Sequence, residues 1–168
     1  MKKSQSPGWG GKRPGAGRKP KGDRARVSHR KRPRFAGRAA VHIVLRFLDR
    51  IDLRSAGVRR VIGEALEEGR GRIGLHVVEV RAKGGQLHLL AEAEGTHGLS
   101  RGTQGLTIRI ARGLNRLDGA RGGVYGDHFE GLVLRSTGEV EAARGVGGLV
   151  KLGKDALAPP RLALLAKR

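Results

Sequence analysis

Three features of the sequence predict an α+β fold. This is a ferredoxin-like antiparallel sheet in β-α-β-β-α-β order, with helices on one face plus a C-terminal helix. Short β-branched or apolar runs alternate with stretches of helical period. A Gly84-Gly85 pair separates two such runs and marks a hairpin. Basic charge is concentrated at the N-terminal end, which leaves the remainder balanced enough to form a core.

Each element has its own signal. Val41-His42-Ile43-Val44-Leu45 is β-branched and apolar, and reads as the first strand. Val58, Val61, Ile62, Ala65 and Leu66 keep a helical i, i+3, i+4, i+7 spacing, and Gly69 and Gly71 end that helix. Leu75 to Val80 and Gln86 to Ala93 are the two arms of the hairpin. Ser100 is placed to cap a second helix running to Leu117, with Leu106, Ile110, Leu114 and Leu117 as its apolar stripe. Residues 123–134 read as an irregular fourth strand. Thr137 is a candidate cap for a last helix over 138–152, which Gly145, Gly147 and Gly148 weaken by about 1 kcal/mol each relative to Ala. Pro159-Pro160 breaks the chain before a short apolar tail.

The 168 residues carry a net charge of +20. Residues 1–38 hold fourteen Lys or Arg and one acid, and residues 39–168 hold twenty-one and fourteen, so +13 and +7 make the total. The first segment is rich in Gly and Pro and too poor in large apolar side chains to fold alone, so it reads as a flexible basic arm. Residues 39–152 read as one domain and 153–168 as a C-terminal tail. Such a field favours polyanions, nucleic acid before anionic membrane. There is no apolar run of about 18 residues, so no membrane span is expected, and no apolar stretch follows the basic N-terminus, so a cytoplasmic place is expected. The absence of cysteine excludes disulfides, thiol catalysis and Cys-based zinc sites. Aromatic content of 3% excludes base stacking as a main binding mode.

Several residues invite a functional reading beside a plainer one. In the arm, Lys12, Arg13, Pro14, Gly15, Arg18 and Lys19 alternate base with Gly and Pro. An extended backbone of this kind can follow phosphates or enter a groove, or be a solvated tail of non-specific affinity. Arg109, Arg112 and Arg116 share a helix face that can grip a phosphate backbone, or be only the solvated side. In GGQLHLLAEAE (84–94), Gln86 and His88 point to one face of a strand. His88 with the amide oxygen of Gln86 is a weak metal pair, or a strand with a structural histidine. His42, His76, His97 and His128 show no ligand spacing. Tyr125, the only tyrosine, reads as a packed aromatic or as a substitute nucleophile.

Together, GGKRPGAGRKP in the arm, GGQLHLLAEAE in the third strand and LSRGTQGLTIRIARGLNR in the second helix resemble the single-tyrosine HUH transposases, in the branch associated with repetitive extragenic palindromes (REP). VHIVLR and VYGDHFEGLVLRSTGEVEAA also fit, so the likeness runs from about residue 10 to about residue 150. The resemblance implies a small domain that binds single-stranded DNA hairpins. In such enzymes a divalent metal held by His-hydrophobic-His polarises the scissile phosphate, and a tyrosine on the last helix attacks it. A Gln or Asn one turn later completes the metal site.

The sequence departs from that pattern at each catalytic position. Gln86 stands for the first histidine and only His88 is retained. The tyrosine position falls at about Val146 and the amide at about Val150, and no tyrosine follows Tyr125. The expectation is a transposase-like DNA-binding protein without cleavage activity, contacting a hairpin through the arm and the three arginines. The alternatives are an active strand-transferring enzyme with a degenerate site, and a basic RNA-binding or structural protein. No cofactor is expected, or Mg or Mn if Gln86 and His88 still hold an ion. Nothing in the sequence chooses between monomer and dimer.

Overall fold

The computed structural model describes residues 33–71, 74–150, 157 and 159–166. The arm residues Lys12, Arg13, Pro14, Gly15, Arg18 and Lys19 lie outside them. The described residues form β1 (Arg38–Arg46), α1 (Ala56–Gly69), β2 (Leu75–Lys83), β3 (Gln86–Glu94), α2 (Gly95–Leu117), β4 (Glu130–Leu134), α3 (Thr137–Arg144), β5 (Gly148–Leu149) and α4 (Ala163–Ala166). The sheet order is β4-β1-β3-β2-β5 with every pairing antiparallel. The first four strands in this order, with two crossover helices, make the expected ferredoxin-like α+β architecture.

Strand alternation divides the sheet into two faces. Val41, Ile43 and Leu45 of β1 and Leu87, Leu89, Ala91 and Ala93 of β3 point to one face. With Val58, Val61, Ile62, Ala65 and Leu66 of α1 and Leu99, Leu106, Ile110 and Leu114 of α2, they form the main core. The opposite face holds a smaller core in which Ala40, Leu90 and Leu134 pack with Val140 and Ala143 of α3 and Leu165 of α4. Gly84 and Gly85, at φ 51° and 76°, make the tight hairpin that two left-handed residues allow.

A bulge in β2 decides which of its side chains reach each face. The β2–β3 register slips between Val77 and Glu79. An extra residue in one strand inverts the alternation beyond it. Leu75 and Val77 therefore face the main core before the bulge, whereas Val80 and Ala82 face it afterwards. Arg81 and Lys83 are thereby turned to the second face, opposite His88 and Gln86.

Several predicted boundaries are corrected. Helix α2 starts at Gly95, so Ser100 lies inside it and is not its cap. β4 begins only at Glu130; before it, Tyr125 makes an isolated bridge to Phe47. Helix α3 is capped by Ser136, whose side chain accepts from the Glu139 N–H while the Glu139 carboxylate accepts from the Ser136 N–H. It ends at Arg144 and does not run to 152, because Gly147 takes φ 68° and the chain turns into β5. Residues 33–37, assigned to the arm by composition, lie against the domain. The Phe35 and Gly37 carbonyls accept from the N–H groups of Thr96 and Gly95, and the Phe35 N–H donates to the Thr96 hydroxyl.

Candidate nucleic-acid interface

The second sheet face has a covered half and a more open one. At the covered half, Glu92 is fully buried and one of its oxygens accepts from the backbone N–H groups of Arg161 and Leu162, at 2.5 and 2.7 Å. This buried carboxylate pins the turn that leads into α4. At the other half, β1 presents His42, Val44 and Arg46, β3 presents Gln86 and His88, and β2 presents Arg81 and Lys83. Val44, Arg46 and Gln86 are half-buried and Lys83 is exposed. Arg46 bonds Glu130 of β4 at 2.8 Å, and Arg81 bonds Glu79 at 2.7 Å. Leu132, beside His42 in the register, is 58% exposed.

Register brings together two histidines that sequence spacing left scattered. His42 lies diagonal to His88 across β1 and β3. Their rings stack with centroids 5.3 Å apart at 21°, and His42 Nε2 stands 3.1 Å from His88 Nδ1. Burial lowers the pKa of both rings; His88 lowers that of His42 further, and the charges of Lys83 and Arg46 that of His88. Both shifts favour the neutral imidazole, and the 3.1 Å contact is a hydrogen bond when one facing nitrogen carries the proton and the other accepts. His88 Nε2 is buried without a hydrogen-bond partner among the described residues.

The donors here are two imidazole nitrogens and the Gln86 amide. The Glu130 carboxylate is engaged by Arg46, and among the described residues no three His, Asp or Glu side chains converge. A hard ion such as Mg²⁺ or Mn²⁺ seeks carboxylate and water oxygens, so this set fits it poorly.

The other predicted site residues are dispersed. Tyr125 packs beside Phe47, ring centroids 4.9 Å apart, and its hydroxyl donates to the Thr107 carbonyl of α2 at 3.1 Å. It belongs to the main core, across the sheet from His42 and His88, and burial raises its pKa. That is the packed-aromatic reading; a nucleophile acting beside His88 would have to stand on the other side of the sheet. Val146 sits in the bend after α3, and Val150 is buried in the main core. Neither lies on a helix, since α3 has already ended. Arg109 is turned to α1, where its Nε donates to the Ala65 carbonyl at 3.0 Å in the last turn. Arg112 and Arg116 are exposed. The three arginines thus divide into one that ties two helices together and two that face solvent. His42 is the residue that sequence reasoning passed over, because its partner is set by strand register and not by spacing.

No protein-family profile matches the sequence, and no curated protein matches it. Among solved structures, the chain is similar to a REP-associated tyrosine transposase bound to a REP hairpin. The TM-score is 0.55 at 11% sequence identity, covering 69% of this chain and 67% of that one. At this identity the likeness is one of fold. No helix among the described residues is long and apolar enough to cross a membrane.

Proposed function

We propose that this chain is a transposase-like protein that binds single-stranded or palindromic hairpin DNA and does not cut it. The observation that carries the reading is a retained fold without a nucleophile. The architecture resembles that of a hairpin-bound REP-associated transposase. Its only tyrosine is packed into the core on the face away from His88, and a valine stands in the bend where α3 has stopped. Valine cannot form a phosphotyrosine link. Binding is supported by the net charge of +20 and by the exposed cations Arg112, Arg116 and Lys83, which are free of the main core and can meet phosphates. The arm residues Lys12, Arg13, Arg18 and Lys19, interspersed with Pro14 and Gly15 in the sequence, add further basic side chains for phosphate contacts.

The test is a gel shift of the full chain, and of a chain lacking residues 1–32, on a palindromic single-stranded hairpin and a scrambled strand. A nicking assay with Mg²⁺ and Mn²⁺ runs beside it. Preference for the hairpin, loss of affinity without the arm, and no covalent protein–DNA adduct are expected. An adduct would refute the non-cleaving reading, and equal affinity for the scrambled strand would refute hairpin recognition. Preference for RNA of the same sequence would favour an RNA-binding protein instead.

A further inference from the structure

The histidine pair invites a different ion from the one the fold suggests. We propose that His42 and His88 form a two-imidazole site for a divalent ion of the zinc, nickel or copper class, and that this site discriminates against Mg²⁺ and Mn²⁺. Such a site needs no bound nucleic acid.

Zinc-to-imidazole bonds are about 2.0–2.1 Å long, so two nitrogens bound to one ion at ordinary angles stand about 2.9–3.4 Å apart. His42 Nε2 and His88 Nδ1 are already 3.1 Å apart. The stacked rings are carried by two central, paired strands, so little side-chain freedom remains to be lost on binding. Imidazole ligates through a ring nitrogen that carries no proton. In the free protein the 3.1 Å contact is a hydrogen bond when one of the facing nitrogens carries a ring proton. When an ion enters, the ring that carries it passes to its other tautomer, so both lone pairs meet the metal and no co-reactant is needed.

Gln86, two residues from His88 on the same face, can add an amide oxygen, with water filling the remaining positions. Of the nearby cations, Arg46 is offset by Glu130 and Lys83 is exposed. The absence of a converging carboxylate among the described residues is what excludes the harder ions.

Equilibrium dialysis of the full chain against Zn²⁺, and separately against Mg²⁺ and Mn²⁺, tests the site. The variants are His42→Gln, His88→Gln and, as a control, the exposed His128→Gln. Zn²⁺ should be retained by the parent and the control, and bound at least about tenfold more weakly by each of the other two. Mg²⁺ and Mn²⁺ should not be retained. Undiminished Zn²⁺ binding in His42→Gln, no Zn²⁺ binding in the parent, or equal retention of Mg²⁺ would each overturn the proposal. Should either variant fail to unfold cooperatively, electron paramagnetic resonance of Cu²⁺ on the unaltered chain decides. Coupling to two imidazole nitrogens supports the site, and coupling to fewer rejects it.

Discussion

Two alanine substitutions three residues apart on α2 should move stability in opposite directions. Replacing Gly by Ala in a helix interior gains about 1 kcal/mol from propensity alone. At Gly105 the new methyl would meet only the tip of Arg109, with Nη1 at 3.4 Å, so Gly105→Ala should keep that gain. At Gly102 the methyl would fall 2.3 Å from Leu75 Cβ, with Cδ2 and Cγ of the same residue at 3.1 and 3.2 Å. A Cβ is fixed to its backbone, so no rotamer of Leu75 relieves the overlap; α2 must move off β2. Overpacking typically costs about 1–3 kcal/mol, and a clash with an immovable atom belongs at the upper end. Subtracting the propensity gain leaves Gly102→Ala destabilised by about 2 kcal/mol, and the two variants about 3 kcal/mol apart. Urea unfolding of the full chain measures this as a shift in midpoint at constant slope. If Gly102→Ala matched or exceeded the parent in stability, the claim that this glycine exists to let α2 approach β2 would fail.

Tyr125→Phe should cost about 1 kcal/mol through loss of the bond to the Thr107 carbonyl, and should leave hairpin affinity unchanged. The raised pKa of this phenol has a pH consequence of definite sign. Its contribution to stability is present below the ordinary value of 10.0 and is lost as pH rises beyond it, since the unfolded chain then ionises first. As it is the only tyrosine, tyrosinate absorbance should appear together with unfolding and not ahead of it; an independent titration in folded protein would contradict the burial. Arg109→Ala should lower the unfolding free energy by about 1 kcal/mol with little effect on DNA affinity. Arg112→Ala and Arg116→Ala should do the reverse, each reducing the salt dependence of binding by about one unit of slope. Equal effects of all three on binding would return Arg109 to the phosphate-binding face.

The order of elements is legible in the sequence because it rests on local period and turn chemistry. The 3.6-residue stripe of α1 and the Gly84-Gly85 hairpin both act within a few residues. Where tertiary contacts outweigh propensity, local signals mislead. Gly98 and Gly102 make the first turns of α2 look unfavourable, yet close packing on Gly74 and Leu75 is what those glycines permit. The arginine stripe shows the same limit: helical spacing puts three side chains on one face, but only the neighbouring α1 determines that Arg109 is spent on a carbonyl. Glu92 and the histidine pair are illegible for a further reason. Glu92 reads as a solvated charge until the chain returns some seventy residues later to place two N–H groups on it. His42 and His88 meet only because β1 and β3 pair in one particular register.

The bend at Gly147 bears on whether such a protein could acquire a nucleophile. A tyrosine placed at 146 would stand beyond the end of α3, next to a glycine whose left-handed backbone most side chains resist. A methyl at Gly147 would come within 2.4 Å of the Ala82 carbonyl oxygen, so that glycine cannot be replaced to lengthen the helix while β5 stays beside β2. Extending α3 would also draw Val150 out of the core and break its bond to Val80. A single codon change at 146 therefore does not suffice. Lengthening α3 past Gly147 means a different backbone path, and each step toward it would be destabilising.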